Sequence, residues 1–122
     1  MDTQTDFWGE IAPAEVRTPA AIMREQAALL GAKTRYLIEA VVETEVSGSR
    51  FIHRFNLVVP AMDNYKYELF KVYHGVSIYP VTEYGESKML KTEEEFSDWL
   101  RGVLSSPATK KLVGNLLVQV SS

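Results

Sequence analysis

Two histidines, His53 and His74, are the chain's whole supply of imidazole, and it has no cysteine. Thiolate nucleophiles, disulfides and cysteine-ligated zinc are therefore excluded. His53 lies in the run Phe51-Ile-His-Arg-Phe55, where alternation puts it on the same side as two phenylalanines. An imidazole there is either a perturbed acid or base, or a core histidine bonded to a carbonyl. The second reading is favoured, because no partner stands beside it in sequence. His74 precedes Gly75 and reads as a turn residue. No metal-ligand spacing is present, so neither a metal nor a cofactor is expected.

The remaining candidates have structural readings. Glu93, Glu94, Glu95 and Asp98 could do paired acid–base work. They occupy the first turns of a predicted helix, though, where the dipole favours negative charge. Glu39, Glu43 and Glu45 read as the wet face of a strand. The stretch Tyr65–Tyr73 interleaves aromatics with Lys66 and Lys71, as single-strand-binding sheets do. Nucleic acid is nevertheless disfavoured, since cations are few and the formal charge is -3. That reading needs Lys66, Lys71, Arg35 and Arg54 on one face. Phosphate-cradling glycine loops, G-x-S-x-G and H-E-x-x-H are all missing, and no catalytic residue is assigned.

A length of 122 residues, with 46% hydrophobic and 24% charged, fits one globular core. The opening Met-Asp-Thr-Gln-Thr-Asp lacks the basic-then-apolar character of a secretory signal. No apolar run approaches the ~20 residues of a membrane helix. A soluble cytoplasmic protein with no membrane partner is expected, of the general character of small bacterial proteins.

Residues 1–17 read as an arm carrying Phe7, Trp8 and Ile11, with the aromatic pair expected to anchor it onto a domain spanning 18–122. Thr18-Pro19 starts a helix. Ile22, Met23, Ala27, Leu29 and Leu30 form its apolar side, and Gly31 is its expected cap. From Arg35 the period becomes two: Tyr36, Ile38, Ala40, Val42, Thr44 and Val46, then Phe51, His53, Phe55, Leu57 and Val59. With Ser47-Gly48 as the loop of a hairpin, Thr44 opposes Phe51, Ala40 opposes Phe55, Ile38 opposes Leu57 and Tyr36 opposes Val59. Glu45 then opposes Arg50 on the other face.

Tyr65–Tyr73 and Val76–Thr82 read as a second hairpin turning at His74-Gly75. Tyr65, Tyr67 and Leu69 share one parity and Phe70 and Val72 the other, so both faces are covered or a bulge intervenes. Pro80 marks the last strand as an edge. Thr92-Glu-Glu-Glu95 is a capping box before the stripe Phe96, Trp99, Leu100, Val103 and Leu104. Ser106-Pro107 opens a final helix.

The expected fold is α+β: an N-terminal helix, a four-stranded antiparallel meander and two C-terminal helices packed on one face. The favoured function is a non-enzymatic protein-binding or adaptor domain. It would work through Phe7, Trp8, Tyr65, Tyr67, Tyr73, Tyr79 and Tyr84, side chains that favour interfaces. Its forms include a homodimer using the Pro80 region, or a neutraliser of a toxin or regulator of a neighbour. The alternative is a small-molecule pocket between the sheet and the C-terminal helices, open to enzymatic use, lined by His53, Tyr36, Phe55 and Trp99.

Overall fold

The computed structural model describes residues 5–122; the first four residues of the expected arm lie outside it. In chain order the elements are α1 (Pro19–Lys33), β1 (Glu39–Ser47), β2 (Arg50–Val59), a 3₁₀ turn (Pro60–Met62), β3 (Tyr65–His74), β4 (Val81–Glu83), β5 (Met89–Leu90), α2 (Glu93–Leu104) and α3 (Pro107–Ser121). The strands pair antiparallel in sequence order. The architecture is the expected α+β arrangement, with five strands rather than four. β5 escapes sequence reading because two paired residues are too few to alternate.

The helices share one face of the sheet. Ile22, Met23 and Ala27 of α1, Phe96 and Leu100 of α2 and Leu116 of α3 form one buried cluster with Phe55, Leu57, Val59, Phe70, Val72, Val81 and Leu90. Every one of those sheet residues points to the helix side in the observed register.

The first hairpin keeps its predicted faces but slides by two residues. Ser47 pairs with Arg50, so the loop is Gly48-Ser49, and Val42 rather than Ala40 lies opposite Phe55. Gly48 has φ +60°, at the first loop position, where a type II′ turn demands glycine. A shift of two preserves side-chain orientation, whereas a shift of one would have reversed it. The salt bridge moves with the register: Arg54, not Arg50, reaches Glu45 at 2.9 Å.

β1 begins at Glu39, later than the alternation suggested. Arg35 and Tyr36 both have left-handed φ, at +54° and +63°, and turn the chain between helix and sheet. Gly31 is not the helix cap. The helix continues to Lys33, where Thr34 takes the cap position, its hydroxyl accepting from the Ile38 N–H at 3.2 Å. The absent side chain of Gly31 is used instead by the Tyr36 ring, 3.2 Å from where a Cβ would stand.

In β3, Phe55 pairs with Phe70 but Asn56 pairs with Glu68, leaving Leu69 as an extra residue. This bulge answers the parity conflict: Tyr65 and Tyr67 before it and Phe70, Val72 and His74 after it all belong to the helix side. The second hairpin does not turn tightly at His74-Gly75. Residues 75–80 form a longer loop, with Ile78 at φ +76°, a strained value for a β-branched residue. Pro80 therefore precedes β4, and β4 is interior, flanked by β3 and β5. The edges are the long β1 and the two-residue β5.

Three caps match their sequence signals. Thr18 accepts from Ala21 N–H at 3.1 Å, Thr92 from Glu95 N–H at 3.0 Å, and Ser106 from Thr109 N–H at 3.1 Å. The aromatic arm behaves differently from expectation. Phe7 and Trp8 are 92% and 80% exposed and are not packed onto the domain. The arm is gripped only at its end: Arg17 N–H donates to the Glu93 carboxylate at 3.1 Å, and the Tyr79 hydroxyl donates to Arg17 C=O at 2.8 Å.

Trp99 meets Phe70 edge-on at 5.1 Å and stacks on Phe96 at 5.8 Å, while part of its ring stays accessible. Trp99→Ala is expected to destabilise by about 3 kcal/mol in urea unfolding. A midpoint unchanged from the parent would show that the α2 stripe does not hold α2 to the sheet.

Candidate binding groove and the buried histidine pair

Three helices and one strip of sheet enclose a groove of about 700 Å³. Its first wall is α1, through Ile22, Leu29 and Leu30; the opposite wall is Leu100 and Leu104 of α2 with Val113 and Leu117 of α3. Phe55, Leu57 and the bulged Leu69 form the floor. Leu29 remains 51% exposed, an apolar side chain half open to solvent. α1 reaches this arrangement because Leu29 and Leu30 extend its apolar side beyond the flank that Met23 and Ala27 press onto the core. α2 divides its stripe in the same way: Trp99 meets Phe70 of the sheet and stacks on Phe96, while Leu100 and Leu104 line the groove.

Charge around this groove is one-sided. Arg17, Lys33, Arg101 and Lys110 line it, against a single carboxylate, Glu25. Glu25 is itself bonded to Arg17, and Arg101 to Asp98 at 2.8 Å. Lys33 and Lys110 make no ion pair among the described residues. Gln26, Ser97, Ser105, Thr109 and Gly114 complete the lining, and no histidine reaches it.

The imidazoles are elsewhere on the helix side of the sheet, in a chain of hydrogen bonds. His53 and His74 are 4% and 9% exposed, and their Nε2 atoms lie 2.9 Å apart. His74 Nδ1 is 2.7 Å from the Gly75 carbonyl, which can only accept, so His74 carries its proton on Nδ1. Its Nε2 must then accept from His53 Nε2–H, and His53 Nδ1 accepts from the Thr44 hydroxyl at 2.9 Å. Each tautomer follows from that terminal carbonyl. Phe51 stacks on His74 at 5.4 Å. Burial holds His53 down to about 4, with the His74 ring and the Arg24 guanidinium acting in the same direction. His53 is thus a core histidine held by the Thr44 hydroxyl and the His74 ring rather than by the expected backbone carbonyl, partners that sequence could not supply. Cross-strand pairing does so: Thr44 opposes His53, and His74 lies one pair diagonally across β3.

Other titrating groups report their surroundings. The Lys66 ammonium, by hydrogen bond and charge, lowers Glu43, and the Asn56 amide adds to the effect. Burial raises Glu83, with Glu86 nearby. Burial also pushes the Tyr79 hydroxyl up to about 12, with Glu93 contributing, so it stays protonated and donates to Arg17.

Of the four residues expected to line a pocket, Phe55 is at the groove. His53 is in the imidazole chain, Trp99 is on the far flank of α2, and Tyr36 is exposed at the α1–β1 turn. The seven aromatic interface candidates do not converge on one patch. Tyr65 and Tyr67 lie exposed at the start of β3 on the helix side, and Tyr79 holds Arg17. Tyr73 and Tyr84 meet at 5.8 Å on the open face, Arg50 covering the first and Lys71 the second. Phe7 and Trp8 stand on the arm. Arg54, Lys66 and Lys71 also share the open face, but Arg54 is paired with Glu45 and Glu68 and Lys66 with Glu43. Arg35 is in the turn before β1.

Among the described residues, no group of three or more histidine, cysteine, aspartate or glutamate side chains could hold a metal ion, and no helix is long and apolar enough to cross a membrane. No family model, curated protein or solved structure matches the chain.

The His53 shift fixes a pH dependence. Its folded value lies below the ordinary 6.5, so between those limits the unfolded chain takes up a proton that the folded chain refuses. Stability is full above pH 6.5 and falls as the pH drops towards 4, by about 2 kcal/mol after allowance for solvent screening. Urea midpoints measured across that range should show the loss, and His53→Phe should flatten it. An equal slope in both proteins would remove His53 as its cause.

Proposed function

We propose that this protein is a non-enzymatic binding domain that holds an apolar segment with acidic flanks, belonging to another protein chain, in the groove between α1 and the α2–α3 pair. The observation that carries the reading is the combination of an uncovered leucine-lined groove with four cations and one carboxylate at its lining. Apolar lining supplies the non-directional part of the affinity, and cations at the rim select the sign of charge beside it. In a chain whose net charge is -3, four of the 13 basic side chains line this one groove. Gln26 and Ser97 of the lining offer hydrogen bonds to a peptide backbone, whereas the Ser105 and Thr109 hydroxyls donate to the Arg101 and Val103 carbonyls. The two histidines, which a hydrolytic or acid–base reaction would want near a ligand, are spent on each other outside the groove.

An anionic apolar dye, anilinonaphthalene sulfonate, is the test probe, titrated into submicromolar protein. Leu29→Glu changes a half-exposed side chain, so the fold should survive. Binding should weaken at least about tenfold, equivalent to about 1.4 kcal/mol. Lys110→Glu should weaken it less and reduce its sensitivity to salt. Dye affinity unchanged in both variants would place binding elsewhere and sink the proposal.

A further inference from the structure

We infer that the groove's occupant is the aromatic arm of a second copy of this chain, exchanged reciprocally across a two-fold axis. The inference rests on the reading of the groove given above and names what fills it.

The arm has the chemistry the groove selects. Residues 5–16 contain Phe7, Trp8 and Ile11, all exposed, together with Asp6, Glu10 and Glu15 and no cation. Carboxylates thus alternate with apolar anchors, opposite in sign to Lys33, Arg101 and Lys110 at the groove. The anchors are presented by local structure as well: the Asp6 carboxylate accepts from Trp8 N–H at 2.9 Å, a short turn that sets the two aromatics at its bend.

Placement points to a second copy rather than to the arm's own groove. Trp8 stands nine positions before Arg17, a reach of about 30 Å when extended, more than the length of α1, about 22 Å. Arg17 lines the groove and is also the point where the arm is gripped, by Glu93 and Tyr79. The chain bends at Glu15, yet Phe7, Trp8 and Ile11 stay 92%, 80% and 71% exposed and none of them lines the groove beside it. Two such arms, each clear of its own groove, satisfy two grooves in a closed assembly.

Mass by light scattering, at tens of micromolar chain, is the first measurement. The full chain should be a dimer, and the double variant Phe7→Ala with Trp8→Ala a monomer. A labelled peptide of residues 5–16 should bind that monomer, be displaced by the dye, and lose at least about tenfold in affinity with Leu29→Glu added. A dimer that persists without the aromatics would overturn the exchange. So would a monomeric full chain in which acrylamide quenching, compared with Trp8→Phe, finds Trp8 shielded; that result would mean closure on its own groove. A monomer with Trp8 freely quenched and dye still bound would reject the arm while leaving the groove reading intact. Failure of both dye and peptide to bind would reject both.

Discussion

One extra residue in β3 decides where everything else can go. Without Leu69 in the bulge, the strand would keep a single parity from Tyr65 to His74. Either Tyr65 and Tyr67 or Phe70, Val72 and His74 would then have to face away from the helices. The bulge lets the two sets share a side. Phe70 consequently meets both Phe55 and Trp99, which ties α2 to the sheet, and His74 comes within bonding distance of His53. The inserted residue itself is left over to floor the groove between the helices. Core, imidazole chain and groove are three results of one local irregularity.

The two sides of the sheet handle charge in opposite ways. On the open face each cation is matched at close range: Arg54 between Glu45 and Glu68, Lys66 on Glu43, Arg50 and Lys71 over tyrosine rings. Such exposed pairs contribute little stability, typically under about 1 kcal/mol each, but they leave that face electrically quiet. On the helix side the groove keeps two lysines, Lys33 and Lys110, that make no ion pair among the described residues, beside the paired Arg17 and Arg101. The contrast supports the proposal that the groove, and not the patterned sheet face, receives a charged partner.

Much of the fold was legible because its signals are local. The Thr18-Pro19 and Ser106-Pro107 helix starts, the Thr92 cap, the α2 stripe and the two faces of the first hairpin all follow from a few adjacent residues. The two-residue slip of that hairpin turned on whether Gly48 takes the first or second place in the loop, which alternation cannot decide. Gly31 failed as a cap because Thr34 offered a side-chain acceptor three residues later. The groove was harder to see, since its walls come from three helices and its floor from a bulge. What the sequence did hold was a surplus: Leu29 and Leu30 cannot both occupy one narrow stripe, and Leu100 and Leu104 widen another. His53 found its partner through cross-strand pairing at a separation of 21 residues, beyond the reach of any spacing rule.

The long β1 edge has a further meaning for the protein in a crowded solution. An edge strand of nine residues, with Val41 and Val46 exposed, is a template onto which stray strands can add. Here Glu39, Glu43 and Glu45 stand along it. A second β1 laid against the first would have to crowd these solvated charges and the Lys66–Glu43 and Arg54–Glu45 pairs they form, which disfavours the addition. At the opposite end β5 offers only two residues to pair. The sheet is therefore closed to growth by charged, solvated side chains on one side and by brevity on the other, so that open-ended aggregation through its edges is suppressed.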